Sequence, residues 1–396
     1  MPGRPRVAPH VAALPKSGIR KFFDIVAQSK DIISLGVGEP DFDTPWHISR
    51  AAVTCLEDGG THYTSNRGTP ELRRAISAYL ERRFAASWDP ECEILATVGV
   101  SEAIDLAVRA VCSPGDEVLY HEPCFVSYAP TVRLAHAVPV PVPTRVEDGF
   151  RLSVAALEER VTARTRAMLL NFPCNPTGAA LSASEMEDIL RFAERHDLVV
   201  FADEVYSELN YSHDGSPLPS FAAFPKWRDR VVLLNGFSKS WAMTGYRLGY
   251  ACGPADVIDA MMKIHQYGIM SAPTLSQAAG VEAMDFGDKD VARMRREYRR
   301  RRDYLVPALN DLGLPTVMPD GAFYAFPDIR RTGMTSEEFA IELLKKHGVA
   351  CVPGAAFGEC GEGFVRMSYA TSMDKIRLAV SRIAEMSWRR GPSAAS

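Results

Sequence analysis

Several polar residues stand just beyond runs of apolar ones. "AMLLNFPCNPTG" leads to Asn175, "LVVFADEVY" to Asp203 and Tyr206, and "VVLLNGFSK" to Ser238 and Lys239. Arg247 follows Lys239 by eight residues, in a Thr-Gly-Tyr setting. Cations normally avoid the end of a buried strand, yet in open α/β sheets ligands gather beyond the carboxyl ends of the strands. "TVGVSEAIDLAVRA" runs from an apolar stretch through Gly99 into a helical pattern whose free amides would face anything anionic.

Taken one at a time, each has a plainer reading. Asn-Pro-Thr-Gly is by default a turn. Asp203 could cap a helix, Lys239 could be a surface lysine, and Arg247 could pair with a surface carboxylate. The glycines of "LGVGEP", Gly36 and Gly38, form a lone GxG and say little about dinucleotides. The joint order of these residues is what carries weight.

The elements that must position them are legible as alternating strand and helix patterns, the mark of a mainly parallel sheet covered on both faces. Seven strands are expected at 94–99, 117–123, 138–143, 167–173, 198–204, 231–236 and 247–253, with helices at 101–112, 183–196 and 255–267. A charged helix is expected at 289–313, its basic run being a solvated face. "GAFYAFPDI", "GVACVPGAAFG" and "FVRMSYA" then read as strands of a second, smaller α+β domain. The expected division is an N-terminal arm and part of the small domain over 1–45, a large domain over 46–285 and the small domain over 286–396.

A chain of 396 residues with 46% hydrophobic and 24% charged residues is globular and long enough to enclose a cofactor. Its net charge of −4 gives no electrostatic footprint for nucleic acid. The eight cysteines lack CxxC pairs or metal-ligand spacing, as expected of reduced thiols in a cytoplasmic protein with no metal centre. The N-terminal segment lacks the continuous apolar core of a signal peptide, and no apolar run approaches the roughly 20 residues of a membrane span.

The whole constellation resembles the pyridoxal-phosphate-dependent aminotransferases of fold type I. "SLGVGEPDF", "YTSNRGTPELR", "TVGVSEAI", "EPCFVSY", "NFPCNPTG", "DEVY", "GFSKSWAMTGYRLGY", "GAFYAFP" and "FVRMSYA" come in that family's order and approximate spacing over nearly the whole chain. The resemblance implies that Lys239 holds pyridoxal 5'-phosphate covalently and shuttles the proton, and that Asp203 pairs with the pyridine nitrogen. It further implies that Tyr206 and Asn175 hydrogen-bond the ring oxygen and that Phe125 stacks on the ring. The phosphate would rest on Val100, Ser101, Glu102, Ser238 and Arg247. Tyr63 would reach the phosphate of a neighbouring subunit in a homodimer with shared sites, its plainer alternative being a turn aromatic. Arg366, with the Gly38 amide, would grip the substrate α-carboxylate, a surface strand arginine being the alternative.

For the substrate, the resemblance points to the aromatic or broad-range branch, with 2-oxoglutarate as acceptor in a ping-pong cycle. The segment 265–274, where one aspartate-specific group carries a second arginine, has none, and Ser101 stands where another group carries a lysine. The pocket is expected to be lined by the Ile19 region, Tyr63, Tyr324 and residues 265–271. Aspartate, alanine or N-acetyl-diaminopimelate aminotransferases are the alternatives within the family. A C–S β-lyase on the same scaffold and a cofactor-sensing regulator stand further off.

Overall fold

The structure is a computed structural model, and it describes residues 6–14, 31–211 and 219–386. Seven strands form its main sheet: β1 (Ile94–Thr97), β2 (Glu117–Glu122), β3 (Val138–Pro143), β4 (Thr165–Asn171), β5 (Val199–Asp203), β6 (Val231–Gly236) and β7 (Gly249–Cys252). Their order is β1-β7-β6-β5-β4-β2-β3, and β7 alone runs against the rest. The seven expected strands are all present: those at 138–143 and 231–236 match end to end, β4 is shifted two residues toward the N-terminus, and the other four are shorter than expected. The strand expected at 94–99 stops at Thr97, because Gly99 already opens the helix Gly99–Val111.

The central strands are buried on both faces because successive residues along their middles, rather than alternate ones, are apolar. Along β4, Met168 and Leu170 pack with Met186, Ile189, Leu190 and Ala193 of the helix Ala183–Arg195. Leu169 points the other way, packing with Phe201, Val232 and Leu234 against Ala103, Ile104 and Ala107 of the helix Gly99–Val111. Each such side chain, removed from water, contributes on the order of 2 kcal/mol.

Parallel register then sets the site. Asn171 lies opposite Asp203, and Asp203 opposite Leu234, so the carboxyl ends of β4, β5 and β6 finish level. Since β7 is reversed, its beginning falls at the same edge: Gly249 pairs with both Gly236 and Thr97. Arg247, two residues before β7, is thereby brought beside Gly99.

A separate core gathers the C-terminal segments. Short strands Val352–Pro353, Val365–Ser368 and Tyr324–Ala325 form one antiparallel sheet, and Ile33–Ser34 pairs in parallel with Val349–Ala350. Their side chains pack on Met294, Tyr298, Leu305 and Leu309 of the helix Asp288–Asp311. These strands are much shorter than "GAFYAFPDI" and "GVACVPGAAFG" promised: Ala322 adopts a positive φ of 59° on one side of Tyr324–Ala325, and Pro327, with no N–H to give, stands on the other. Among the described residues no helix is long and apolar enough to cross a membrane.

Candidate active site

A cavity of about 350 Å³ opens at the carboxyl edge of the sheet. Twelve residues singled out in the sequence line it: Gly38, Val100, Ser101, Phe125, Asn175, Asp203, Tyr206, Ser238, Lys239, Arg247, Tyr324 and Arg366. Glu39, Ile104, Asn171, Val205 and Thr244 complete the wall.

Asn171, the last residue of β4, ties the floor together. Its Nδ2 donates to the Asp203 carbonyl at 2.9 Å and its Oδ1 accepts from the Asn175 amide at 2.9 Å. Behind it, the Asn171 amide donates to Nε2 of His121 at 3.1 Å. Burial holds His121 at about 4, so the ring is neutral and free to accept.

At the end of β5, the Asp203 carboxyl accepts from the Tyr128 hydroxyl at 2.6 Å and from the Val205 amide at 3.3 Å. Burial nevertheless raises it from 3.8 to about 6, against the hydrogen bond from Tyr128, the Val205 amide and the charge of Lys239. A carboxyl so poised is a strong partner for any cationic N–H entering the cavity. Tyr206, one turn on, shares a 2.8 Å hydrogen bond with the hydroxyl of Tyr324, and burial pushes its phenol well above 10.

Beyond β6, the single helical turn Phe237–Ser240 presents Ser238 and Lys239. The Lys239 amine donates to the Gly38 carbonyl at 2.8 Å. Burial pulls it from 10.5 to about 8; the Glu39 carboxylate opposes this, and the guanidiniums of Arg366 and Arg247 add to it. Near neutrality a fraction of Lys239 is therefore a free, nucleophilic amine.

Arg247 occupies a left-handed backbone position, φ 51°, which a non-glycine residue adopts only where its surroundings impose it. Its guanidinium lies on Gly99: a Cβ there would meet Nη2 at 2.7 Å, and Gly99 itself has φ 74°. Only glycine lets the start of the helix Gly99–Val111 approach the cation so closely. Arg366 is deeper, 3% exposed, donating to Asn175 Oδ1 at 2.8 Å and to the Gly36 carbonyl at 2.7 Å. Its Nε has no hydrogen-bond partner, and among the described residues no carboxylate pairs with it. The ring of Tyr324 lies under this guanidinium at 4.5 Å.

The family model for aminotransferase class I and II matches residues 30–383. The chain belongs to that family. Curated relatives of this aminotransferase include the putative aminotransferase YugH of Bacillus subtilis (strain 168), 48% identical over 94% of this chain and 96% of the relative. An aspartate aminotransferase of Pyrococcus abyssi is 46% identical over 93% and 95%. Among solved structures, the aromatic aminotransferase from Pyrococcus horikoshii OT3 superposes with a TM-score of 0.87 at 45% identity, covering 92% of this chain and 97% of that one. The chain is thus an enzyme, a transaminase of the α/β fold expected.

Two sequence-selected residues do not line this aminotransferase's own cavity. Glu102 turns its carboxylate away from the cavity, onto the Val98 amide and His265. Tyr63 is 82% exposed. The segment 265–271 is likewise absent from the wall: His265 is fully buried behind it, and Tyr267 is 87% exposed. Of the expected substrate lining only Tyr324 is in place, and the Ile19 region lies outside the described residues. Sequence reasoning missed Tyr128, Asn171 and Glu39. Asn171 carried the same signal as Asn175, a polar residue at the end of an apolar run, and could have been found by it.

Proposed function

We propose that this transaminase works with pyridoxal 5'-phosphate in the cavity at the sheet edge, moving the amino group of an aromatic or broad range of L-amino acids to 2-oxoglutarate by a ping-pong cycle. The donor set fits that cofactor. A carboxyl near pKa 6 suits a pyridine N–H, a phenol and an amide suit the ring oxygen, a lysine near pKa 8 suits an aldehyde, and helix-start amides with Ser238 and Arg247 suit a phosphate. When bound, the cofactor supplies the aldehyde that receives the amino group and a ring that accepts the electrons left as the α-proton departs. Asp203 keeps the proton on the pyridine nitrogen. Lys239 Nζ would anchor the cofactor by its aldehyde and would accept and return the substrate's α-proton. Phe125 would cover one ring face, and Asn175, which accepts from Arg366, would also hold the ring oxygen.

Arg366 carries this reading for amino acids. A guanidinium this deeply buried, with one N–H unused and no carboxylate beside it, is a site short of one anion. The substrate α-carboxylate supplies it, in the bidentate geometry that a guanidinium favours. Arg366→Lys keeps the charge and loses the fork. It is expected to raise KM for the amino acid about 100-fold with a smaller fall in kcat, as steady-state kinetics would show. Equal KM values for wild type and variant would remove Arg366 from the substrate.

The aromatic or broad preference is supported by what remains of the wall. Its cations are Lys239, Arg247 and Arg366, each already assigned, so among the described residues none is left for a distal carboxylate. The one charged group of the wall without an assigned role is the carboxylate of Glu39, hydrogen-bonded by Thr244. The exposed Tyr63 and Tyr267, with Trp46 and Phe286 also bared on the same chain, support a homodimer in which Tyr63 reaches the partner's phosphate. The test is a half-reaction screen in which each amino acid is added to the cofactor-loaded enzyme and conversion to the amino form of the cofactor is followed by absorbance. Rapid conversion by phenylalanine or tyrosine and slow conversion by aspartate is expected. The reverse order would make this an aspartate enzyme.

A further inference from the structure

Behind the cavity wall lies a polar pair that none of these roles uses. Glu102 sits in the first turn of the helix Gly99–Val111, and both of its carboxylate oxygens are engaged. Oε2 accepts from the Val98 amide at 2.5 Å, and Oε1 meets Nδ1 of His265 at 2.8 Å. His265 comes from the last turn of the helix Ala255–Gly268, is fully buried, and among the described residues has no partner at Nε2. A histidine with one nitrogen left unsatisfied in the interior is an expense to folding, so the contact made by the other nitrogen must be what keeps it there.

That contact bears on the loop from Thr97 to Ser101. The Thr97 hydroxyl donates to the Gly99 carbonyl at 3.0 Å, Val98 is tied by Glu102, Gly99 takes its positive φ against Arg247, and Val100 and Ser101 face the cavity. The direction in which the Val100 and Ser101 amides point depends on the backbone at Val98 and Gly99. A carboxylate at a helix start also competes with any other anion for the same positive end. The hydrogen bond from His265 holds Glu102 on the Val98 side and so leaves the amides on the cavity side free.

We propose that His265 and Glu102 are a positioning pair that sets the phosphate cup from behind. His265 orients Glu102, Glu102 fixes the Val98 amide, and the Val100 and Ser101 amides are thereby aimed at the phosphate. The inference rests on the cofactor reading above, and its test separates the two. Apoenzyme is titrated with pyridoxal 5'-phosphate and, in parallel, with pyridoxal, which lacks the phosphate, for wild type, His265→Leu, His265→Gln and Glu102→Ala. His265→Leu and Glu102→Ala are each expected to weaken pyridoxal 5'-phosphate about tenfold, the scale of one lost hydrogen bond in a buried setting, with pyridoxal unchanged. His265→Gln, which keeps an N–H toward Glu102, is expected to restore most of the affinity. An unchanged affinity for pyridoxal 5'-phosphate in either His265→Leu or Glu102→Ala, or equal losses for the two ligands, overturns the proposal. Glu102 is partly exposed where His265 is fully buried, so Glu102→Ala decides the matter even if His265→Leu fails to fold. Wild-type apoenzyme that bound neither ligand would instead overturn the cofactor reading.

Discussion

Replacing Lys239 by Ala is expected to cut transamination about 1,000-fold or more while the apoprotein melts no lower than wild type. Lys239 carries the single amine of the cavity wall, and no neighbour could take over the proton transfer between substrate and cofactor carbons. Its removal loses one hydrogen bond to the Gly38 carbonyl but also relieves the burial that drags the amine from 10.5 to about 8. The sign follows from that depression. Below about pH 8 the lysine is charged in both states, and folding must bury the charge; above about 10.5 it is neutral in both and the penalty is gone. Steady-state rates with calorimetry of both apoproteins check the pair of outcomes, and a variant keeping a tenth of the activity would strip Lys239 of its role. The same depression makes a kinetic prediction for wild type. Only the free amine attacks an aldehyde, so the rate at which apoenzyme takes up pyridoxal 5'-phosphate should climb as pH rises through about 8 and level off above it. A midpoint near 10.5 would mean an amine standing in water.

Much of this site is readable in the sequence because parallel strands finish level. Once seven apolar runs are strands of one sheet, the residues after them must share an edge, and Asn175, Asp203 and Lys239 needed no further information to be brought together. Arg247 required only that β7 run backwards. Tyr128 was another matter. It meets Asp203 across 75 residues of chain, from the start of a short helix between β2 and β3, and in "EPCFVSY" it is one more apolar-context aromatic. The hydroxyl contact between Tyr206 and Tyr324 spans 118 residues and lies within one core shared by the end of β5 and the C-terminal segments. Such contacts are fixed by how the C-terminal segments pack on the sheet, which no local spacing encodes. Glu102 shows a related limit: helix periodicity located its backbone at the cup, while its side chain answered to His265, 163 residues away. The edges of elements were misjudged where one residue overrode a pattern, as Gly99 did at the end of β1 and Pro327 after Tyr324–Ala325.

Asp203→Asn is expected to move activity and stability in opposite directions. Burial holds this carboxyl at about 6 instead of 3.8, so between those values the folded apoprotein binds the proton that the unfolded chain releases. Stability of the apoprotein therefore falls as pH rises from about 4 to 6, by on the order of 3 kcal/mol at about 1.4 kcal/mol per pH unit, and the deficit persists above pH 6. Asparagine is neutral throughout and can still accept from the Tyr128 hydroxyl. The apo variant should accordingly melt a few degrees higher than wild type at pH 8, and the gap should close as pH falls below about 3.8, where Asp203 is protonated in both states. With cofactor bound, the pyridine nitrogen loses its anionic partner and turnover should fall at least about 100-fold. Tyr128→Phe probes the same carboxyl from its other side. Losing a hydrogen bond that favours the ionised form pushes Asp203 above 6, so the acid limb of the rate profile should shift to higher pH while the limiting rate changes less. A carboxylate retained only for packing would behave differently: its replacement would lower melting temperature and activity together at both pH values, and removal of the Tyr128 hydroxyl would leave the rate profile where it was.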